Sequence, residues 1–410
     1  MLDNPQHTAP DDESSLRYEG WRIVAVCFLL ATFGWGLGFY GQSVYVAELQ
    51  RARGWPASLI SSGTTFFYLF SALLVVFVGE AVRKYGPRPS LIAGTLAMAA
   101  AGVAIGAVRE PWQLWLADAV LAFGWAGTSL AMITNTISLW FDHKRGMAIS
   151  LALNGASFGG IVGVPLLVVM ISHIGFANAM FATSGAMLVL LVPLILLVVG
   201  RPPDLHGWRA AAETKSSTEI RKHALRDVGF LTVTVAFSLV LFAQVGFIVH
   251  LISFLDPVIG RERAAVAVAV LTAMAVVGRV LFSMVIDRLN QRLASALSFL
   301  SQAAALGVVI VMHNDYVLIA ACAVFGFSVG NLITLPSLIV QQEFDSAAFG
   351  VLISLNTAIN QVTYAFGPGV VGFLRDWSGG YSLPFYLCIA LQVTAAALIM
   401  VRGAPRAKSA

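Results

Sequence analysis

The sequence predicts an all-α integral membrane protein, with twelve transmembrane helices in two pseudo-symmetric six-helix bundles. Three observations carry this reading. Of 410 residues, 58% are hydrophobic and only 11% are charged, where soluble domains carry about 25% charged residues. The apolar residues gather into twelve segments, most of them near the ~20 residues that cross a bilayer as a helix. The first half of the chain also lies on the second at a shift of 204 residues.

Taken in order, residues 1–22 hold Asp3, Asp11, Asp12 and Glu13 with no apolar stretch, so they read as a cytoplasmic tail and not as a secretory signal. The segments Ile23–Val46, Ser58–Val78, Ser90–Val108, Leu114–Phe141, Gly146–Ile171 and Phe176–Val199 build a first bundle over 23–200. Residues 201–227 open on Pro202-Pro203 and continue through Glu213, Lys215, Glu219, Arg221, Lys222 and Arg226. That stretch is too charged to span and reads as a solvated cytoplasmic linker, helical in part. The segments Val228–Phe254, Ala264–Ile286, Leu293–Met312, Tyr316–Val340, Ala347–Leu374 and Pro384–Val401 build a second bundle over 228–401, and 402–410 form a cytoplasmic tail.

Lys and Arg fix the orientation. With the N-terminus inside, the inner segments hold eighteen of them and the outer loops six: Arg51, Arg53, Arg109, Arg261, Arg263 and Arg375. This excess places both termini in the cytoplasm of a cell (inner) membrane. The net charge of +4 follows from that topology and does not signal nucleic-acid binding.

The repeat is visible residue by residue. Gly146, Ile149, Ser150, Leu151, Gly163, Gly175 and Phe181 fall on Gly350, Ile353, Ser354, Leu355, Gly367, Gly379 and Phe385. Two repeated halves place a binding site between them near mid-membrane.

The remaining cation is Arg279, alone in the otherwise uncharged run Ala264–Ile286. A guanidinium cannot titrate away its charge, and holding it in a membrane helix costs about 2.5–3.5 kcal/mol on insertion scales. Such a charge is expected to meet an anion, and its planar fork suits a carboxylate. One fixed positive charge balances one carboxylate, which favours a monocarboxylate over a dicarboxylate. Asn356, Asn360 and Tyr364 share a face of the eleventh segment, and with Tyr40 and Gln42 of the first they are candidates to complete the site. His250 and Asp118 are the titratable candidates for proton coupling, each expected near the outer end of its helix.

Twelve spans, two halves and a long middle loop resemble the major facilitator superfamily. Its loop signature is matched by Gly79, Lys84, Gly86 and Arg88, with Arg83 where the family has aspartate; the second half keeps Asp287 and Arg288. The resemblance implies a cytoplasmic gate at these loops, with Glu80 standing in for the missing acid. A narrower resemblance is to the monocarboxylate porters and oxalate:formate antiporters. It rests on Glu19-Gly20-Trp21, on Trp140-Phe141-Asp142-His143-Lys144-Arg145-Gly146-Met147-Ala148, and on Arg279 at the position of the eighth-helix substrate arginine. Two family features are absent: Gln42-Ser43 stands where the animal porters carry a first-helix lysine, and Ala275 where they carry an aspartate.

These readings converge on a secondary active transporter of a small organic anion, a short 2-hydroxy or keto acid, exchanged for another anion or moved with a proton. A carrier expelling amphipathic drugs or aromatic compounds is the alternative. A monomer in the lipid bilayer is expected. No nucleophile–base cluster, metal spacing or phosphate loop stands in the chain, so an enzyme, a cofactor or a metal site is not expected. Gly36, Gly38 and Gly41 spell a dinucleotide fingerprint, but no strand precedes them. Gly155, Gly159 and Gly163 form a small-residue stripe for close helix packing. Cys27, Cys322 and Cys388 lie within apolar spans and read as packing residues.

Overall fold

A computed structural model describes residues 13, 15, 18–200, 216–285, 289–344 and 348–401; among them there is no strand. The first half holds α1 (Glu19–Arg53), α2 (Ala57–Val75), α3 (Pro87–Ala107), α4 (Pro111–Ile137), α5 (Arg145–Ile174) and α6 (Phe176–Val198). The second holds α7 (Val228–Ile259), α8 (Arg261–Phe282), α9 (Gln291–Val311) and α10 (Asp315–Glu343). Its α11 consists of Phe349–Ala365 and Gly367–Ser378 on either side of Phe366, and α12 covers Ser382–Ile399. All but α11 are long and apolar enough to cross a membrane. Within the linker, Ser216–Ala224 is helical, and its Ile220 and Ala224 pack on Phe230, Val340 and Leu352.

Two helices outrun the apolar segments that announced them. α1 continues to Arg53 and α7 to Ile259, because charged residues there find partners across the bundle and need not end a helix. Arg51 of α1, for example, pairs with Asp256 of α7.

The repeat governs where helices begin and where they break. Pro87 and Gln291, Pro111 and Asp315, and Arg145 and Phe349 are helix starts separated by 204 residues. Gly175 and Gly379, also 204 apart, both take positive φ, 80° and 73°, after a helix end, a conformation glycine adopts without strain. α4 breaks at Ser129, whose Oγ accepts the Met132 N–H at 3.3 Å; the matching place in α10 is a 3₁₀ turn, Gly330–Ile333. α5 carries a π turn at Gly159–Gly163, and the matching residues of α11 span its break. Pro165, Pro336 and Pro368 each sit in the first turn of the helix that resumes, where a missing N–H costs nothing.

The glycine triplet of α1 is a second π turn, Gly36–Tyr40. Side chains satisfy carbonyls around it: Tyr45 donates to Leu37 O at 2.9 Å and Ser43 to Tyr40 O at 2.8 Å. This turn packs against the one in α5. A methyl on Gly159 would collide with Thr32 O, and one on Gly155 with Phe28 O, whereas Gly163 meets nothing within 4 Å. The stripe is therefore a two-glycine contact. The three cysteines are buried and unpaired.

At the end of the molecule where the chain enters α1, the two short motifs meet. Tyr18 donates to Trp140 O, Trp21 and Tyr18 stand edge-on to Phe141 with centroids at 4.9 and 5.2 Å, and Gly20 leaves room for that ring. The Glu13 carboxylate accepts the backbone N–H groups of Asp142 at 2.8 Å and Lys144 at 2.7 Å. Desolvation pushes the Glu13 carboxyl up, but the N–H groups of Asp142, Lys144 and His143 and the His143 charge outweigh it and hold the group below its ordinary value. A depressed carboxylate contributes stability that is present above its unfolded value and lost as pH falls through the folded one. The clasp should therefore loosen below about pH 4. Trp21 fluorescence should report the release, and Glu13→Gln should remove the transition.

Candidate functional site

Arg279 lies eighteen residues along α8 from Arg261, about 27 Å of rise. That is one turn from the C-terminal end of α8, nearer that end than the segment bounds implied. It is half-buried, and its Nε is fully buried with no partner among the described residues. None of the salt bridges involves it. α10 approaches closely here: a methyl on Gly330 would strike Ala275 O and stand 3.2 Å from Arg279 Cβ.

Tyr40, at the end of the α1 π turn, meets Thr272 of α8 with its hydroxyl and lies within electrostatic reach of Arg279. Gly160 of the α5 π turn packs on the same two side chains, with Thr272 Oγ1 2.7 Å from where its Cβ would be. Gln42 accepts from Thr64 Oγ1 at 2.9 Å, leaving its Nε2 buried and unpaired. One turn further along α2, Tyr68 is 1% exposed and its hydroxyl has no partner. Tyr364 of α11 stands edge-on to Tyr68, ring centroids 5.7 Å apart. The structure thus brings Tyr40, Gln42 and Tyr364 together with Thr64, Tyr68 and Thr272, which sequence reasoning missed.

The asparagines divide. Asn360 accepts from Ser238 of α7 at 2.7 Å and works as a strut within the second half, while Asn356 is buried with Oδ1 unpaired. A second strut escaped the sequence reading: Gln392 donates to Gln302 at 3.1 Å and Gln302 to Gln244 at 3.3 Å, linking α12, α9 and α7. One amide in each of three apolar spans was the signal.

His250 is fully buried nine residues before the end of α7. Its Nε2 donates to Pro368 O at 3.0 Å, so its Nδ1 accepts from the Tyr381 hydroxyl at 3.1 Å. Asp118 lies seven residues into α4, about 10 Å and two turns from its end, deeper than expected. It is 2% exposed. Gly63 of α2 faces its Oδ2, Tyr45 and Tyr68 are within electrostatic reach, and no cation pairs with it among the described residues.

Between α2 and α3, Gly79 lies near Asn135. Gly86, with φ 86°, ends the short helix Val78–Tyr85. Glu80, Arg83 and Lys84 are exposed with no ion-pair partner among the described residues; Lys84 lies 5.2 Å over the Tyr85 ring. Arg88 donates to Leu196 O at 2.6 Å. Asp287 and Arg288 lie outside the described residues.

The halves meet through α1 with α7, α2 with α11, and α5 with α8. Apart from the meeting of Tyr40 with Thr272, the polar bonds between them among the described residues lie at or toward the end of the α1–α2 loop. Arg51 pairs with Asp256, Arg261 with Glu48 at 2.9 Å, and Ser253 with Gln50. Asp376 accepts the Ser58 and Ala57 N–H groups at 2.6 and 3.3 Å, capping α2 from α11, and Gly369 N–H donates to Thr65 at 3.2 Å. A cleft of about 510 Å³ opens beside these pairs, lined by Arg51, Arg261 and Arg263 among others. Each of those arginines already holds a carboxylate; among the described residues, Arg279 does not.

A helical bundle of two repeated halves, latched at one end around a buried central polar site, is the architecture of a membrane carrier. The chain belongs to the Major Facilitator Superfamily, whose family model matches residues 24–350. The MFS-type transporter pynF of Aspergillus niger is 30% identical over 391 residues, covering 92% of this chain and 87% of that protein. Monocarboxylate transporter 13 of Bos taurus is 24% identical, covering 93% and 88%. Among solved structures, the nucleoside transporter NupG superposes with a TM-score of 0.77 at 13% identity, covering 92% of this chain and 99% of that one. A bacterial homolog of the human lysosomal transporter Spinster, inward-facing and unoccupied, gives 0.73 at 13%, covering 94% and 97%. At such identities these two show the fold.

Proposed function

We propose that this transporter carries a monocarboxylate, with Arg279 holding the carboxylate, by rocking its two halves about the central site. The observation that supports this most is the unpaired guanidinium: Arg279 is the one charged residue in Ala264–Ile286, its Nε is buried without a partner, and no carboxylate pairs with it among the described residues. A guanidinium with a fully buried, unpaired Nε is costly unless an anion meets it. The monocarboxylate transporter among the relatives is consistent with that charge balance. With both termini in the cytoplasm of the cell membrane, the latched end is outermost and the conformation is inward-facing.

Coupling is to a proton or a counter-anion. Asp118, with no cation beside it, suits a proton carrier better than His250, whose two ring nitrogens are both engaged. The test is uptake of radiolabelled carboxylates into proteoliposomes, wild type beside Arg279→Ala, with and without an inward proton gradient. Monocarboxylate flux lost in Arg279→Ala is expected, and a gradient response lost in Asp118→Asn would assign symport. Absence of carboxylate flux in a protein that still exports lipophilic aromatic compounds would replace this reading with the efflux one.

A further inference from the structure

We infer that the carboxylate held at Arg279 belongs to a molecule with a hydroxylated aromatic ring, which lodges among Tyr40, Tyr68, Tyr364 and Gln42. This rests on the carboxylate reading of Arg279 and specifies what lies at the other end of the substrate.

The first ground is distance. Thr272, which meets the Tyr40 hydroxyl, and Arg279 are seven residues apart on α8, about 10 Å of rise. A carboxylate followed by a ring and a hydroxyl has that length; a two- or three-carbon acid does not. The second ground is unspent hydrogen bonding. The Tyr68 hydroxyl and Gln42 Nε2 are buried without partners, and buried polar groups ordinarily have them. Thr64, which holds Gln42, and Tyr68 are four residues apart on α2 and share a face. A substrate hydroxyl can accept from Gln42 and exchange a hydrogen bond with Tyr68.

The third ground is the wall. Phe39 stands perpendicular to Tyr40 with centroids 5.1 Å apart and 6.2 Å from Tyr68, and Tyr364 closes on Tyr68 from the other half. Aromatic rings pair favourably edge-to-face or offset-stacked, and a substrate ring would pair with these in the same way. Both halves contribute to the pocket, as a site read by a rocking carrier requires.

The experiment is equilibrium binding to the purified protein of four probes: 4-hydroxyphenylacetate, phenylacetate, 4-hydroxyphenylacetamide and pyruvate. Wild type should bind the hydroxyaryl acid about tenfold or more tighter than phenylacetate, and pyruvate weakest. Tyr68→Phe deletes a hydroxyl that bonds nothing in the protein, so the fold should be kept while that tenfold preference collapses. Gln42→Leu should collapse it independently. Equal binding of phenylacetate and its hydroxy form, pyruvate binding as tightly as either, or a preference that survives both substitutions would overturn the ring site. The carboxylate reading would then stand, provided the amide binds worse than the acid. An amide that binds as tightly as the acid would overturn the carboxylate reading, and with it this inference.

Discussion

Arg279→Lys should lower monocarboxylate uptake about a hundredfold, almost as far as Arg279→Ala, while the melting temperature of the purified protein barely moves. A guanidinium grips a carboxylate through two parallel charge-assisted hydrogen bonds, each worth about 1.5–3 kcal/mol. An ammonium keeps the charge but cannot reproduce the fork. Losing one such bond with its alignment removes about 3 kcal/mol, and 1.4 kcal/mol is a factor of ten. The stability half of the prediction comes from the structure: among the described residues Arg279 has no hydrogen-bond or ion-pair partner, and its Nε is buried unpaired, so its removal strands none of them. An arginine with only a packing role would behave in the opposite way, transporting well as lysine. Lysine uptake within threefold of wild type would end the substrate role.

Much of the architecture was legible because lipid imposes it: spanning length and the repeat each leave a count in the sequence. Even the helix interruptions were signalled, since Pro165, Pro336 and Pro368 mark three resumptions. The candidate site was legible where polar residues interrupt apolar spans, Arg279 by its charge and Tyr40, Gln42 and Tyr364 by their hydrogen-bonding groups. Tyr68 and Thr64 carry such groups too, but only packing against α1 and α11 gives either a role. Asn356 and Asn360 looked equivalent by spacing, yet one turn of α11 separates an unpaired amide from one held by Ser238. The two motifs at Glu19 and Trp140 could not be read as one contact, because 122 residues separate Tyr18 from Trp140. Which residues meet across a bundle is decided by tertiary packing, and periodicity within one helix does not contain it.

Arg292→Ala should destabilise the second half by about 3–5 kcal/mol, the expected cost of breaking a buried ion pair from one side. Arg292 is 2% exposed, and its guanidinium is fully committed. Nε and Nη2 reach the two Glu343 oxygens at 2.6 Å each. Nη1 donates to Ile399 O at 2.8 Å, Val401 O at 3.0 Å and Thr232 Oγ1 at 3.2 Å, and Nη2 also reaches Gly229 O at 3.2 Å. One side chain at the start of α9 therefore ties down the start of α7 and the ends of α10 and α12. The carbonyls at the end of α12 have no helical partner of their own, so losing the arginine strands them together with the glutamate. Arg88, 204 residues earlier, makes the contrast. It is exposed and donates to a single carbonyl, Leu196 O, at the end of α6, and Arg88→Ala should cost under about 1 kcal/mol. The two helix termini are pseudo-symmetric but unequally fastened. Thermal unfolding of the two alanine variants in detergent should separate them by several degrees, with Glu343→Gln between. Equal melting temperatures would mean that the buried pair costs as much to desolvate as it returns, and that the second half is held by its apolar contacts and glutamine strut instead.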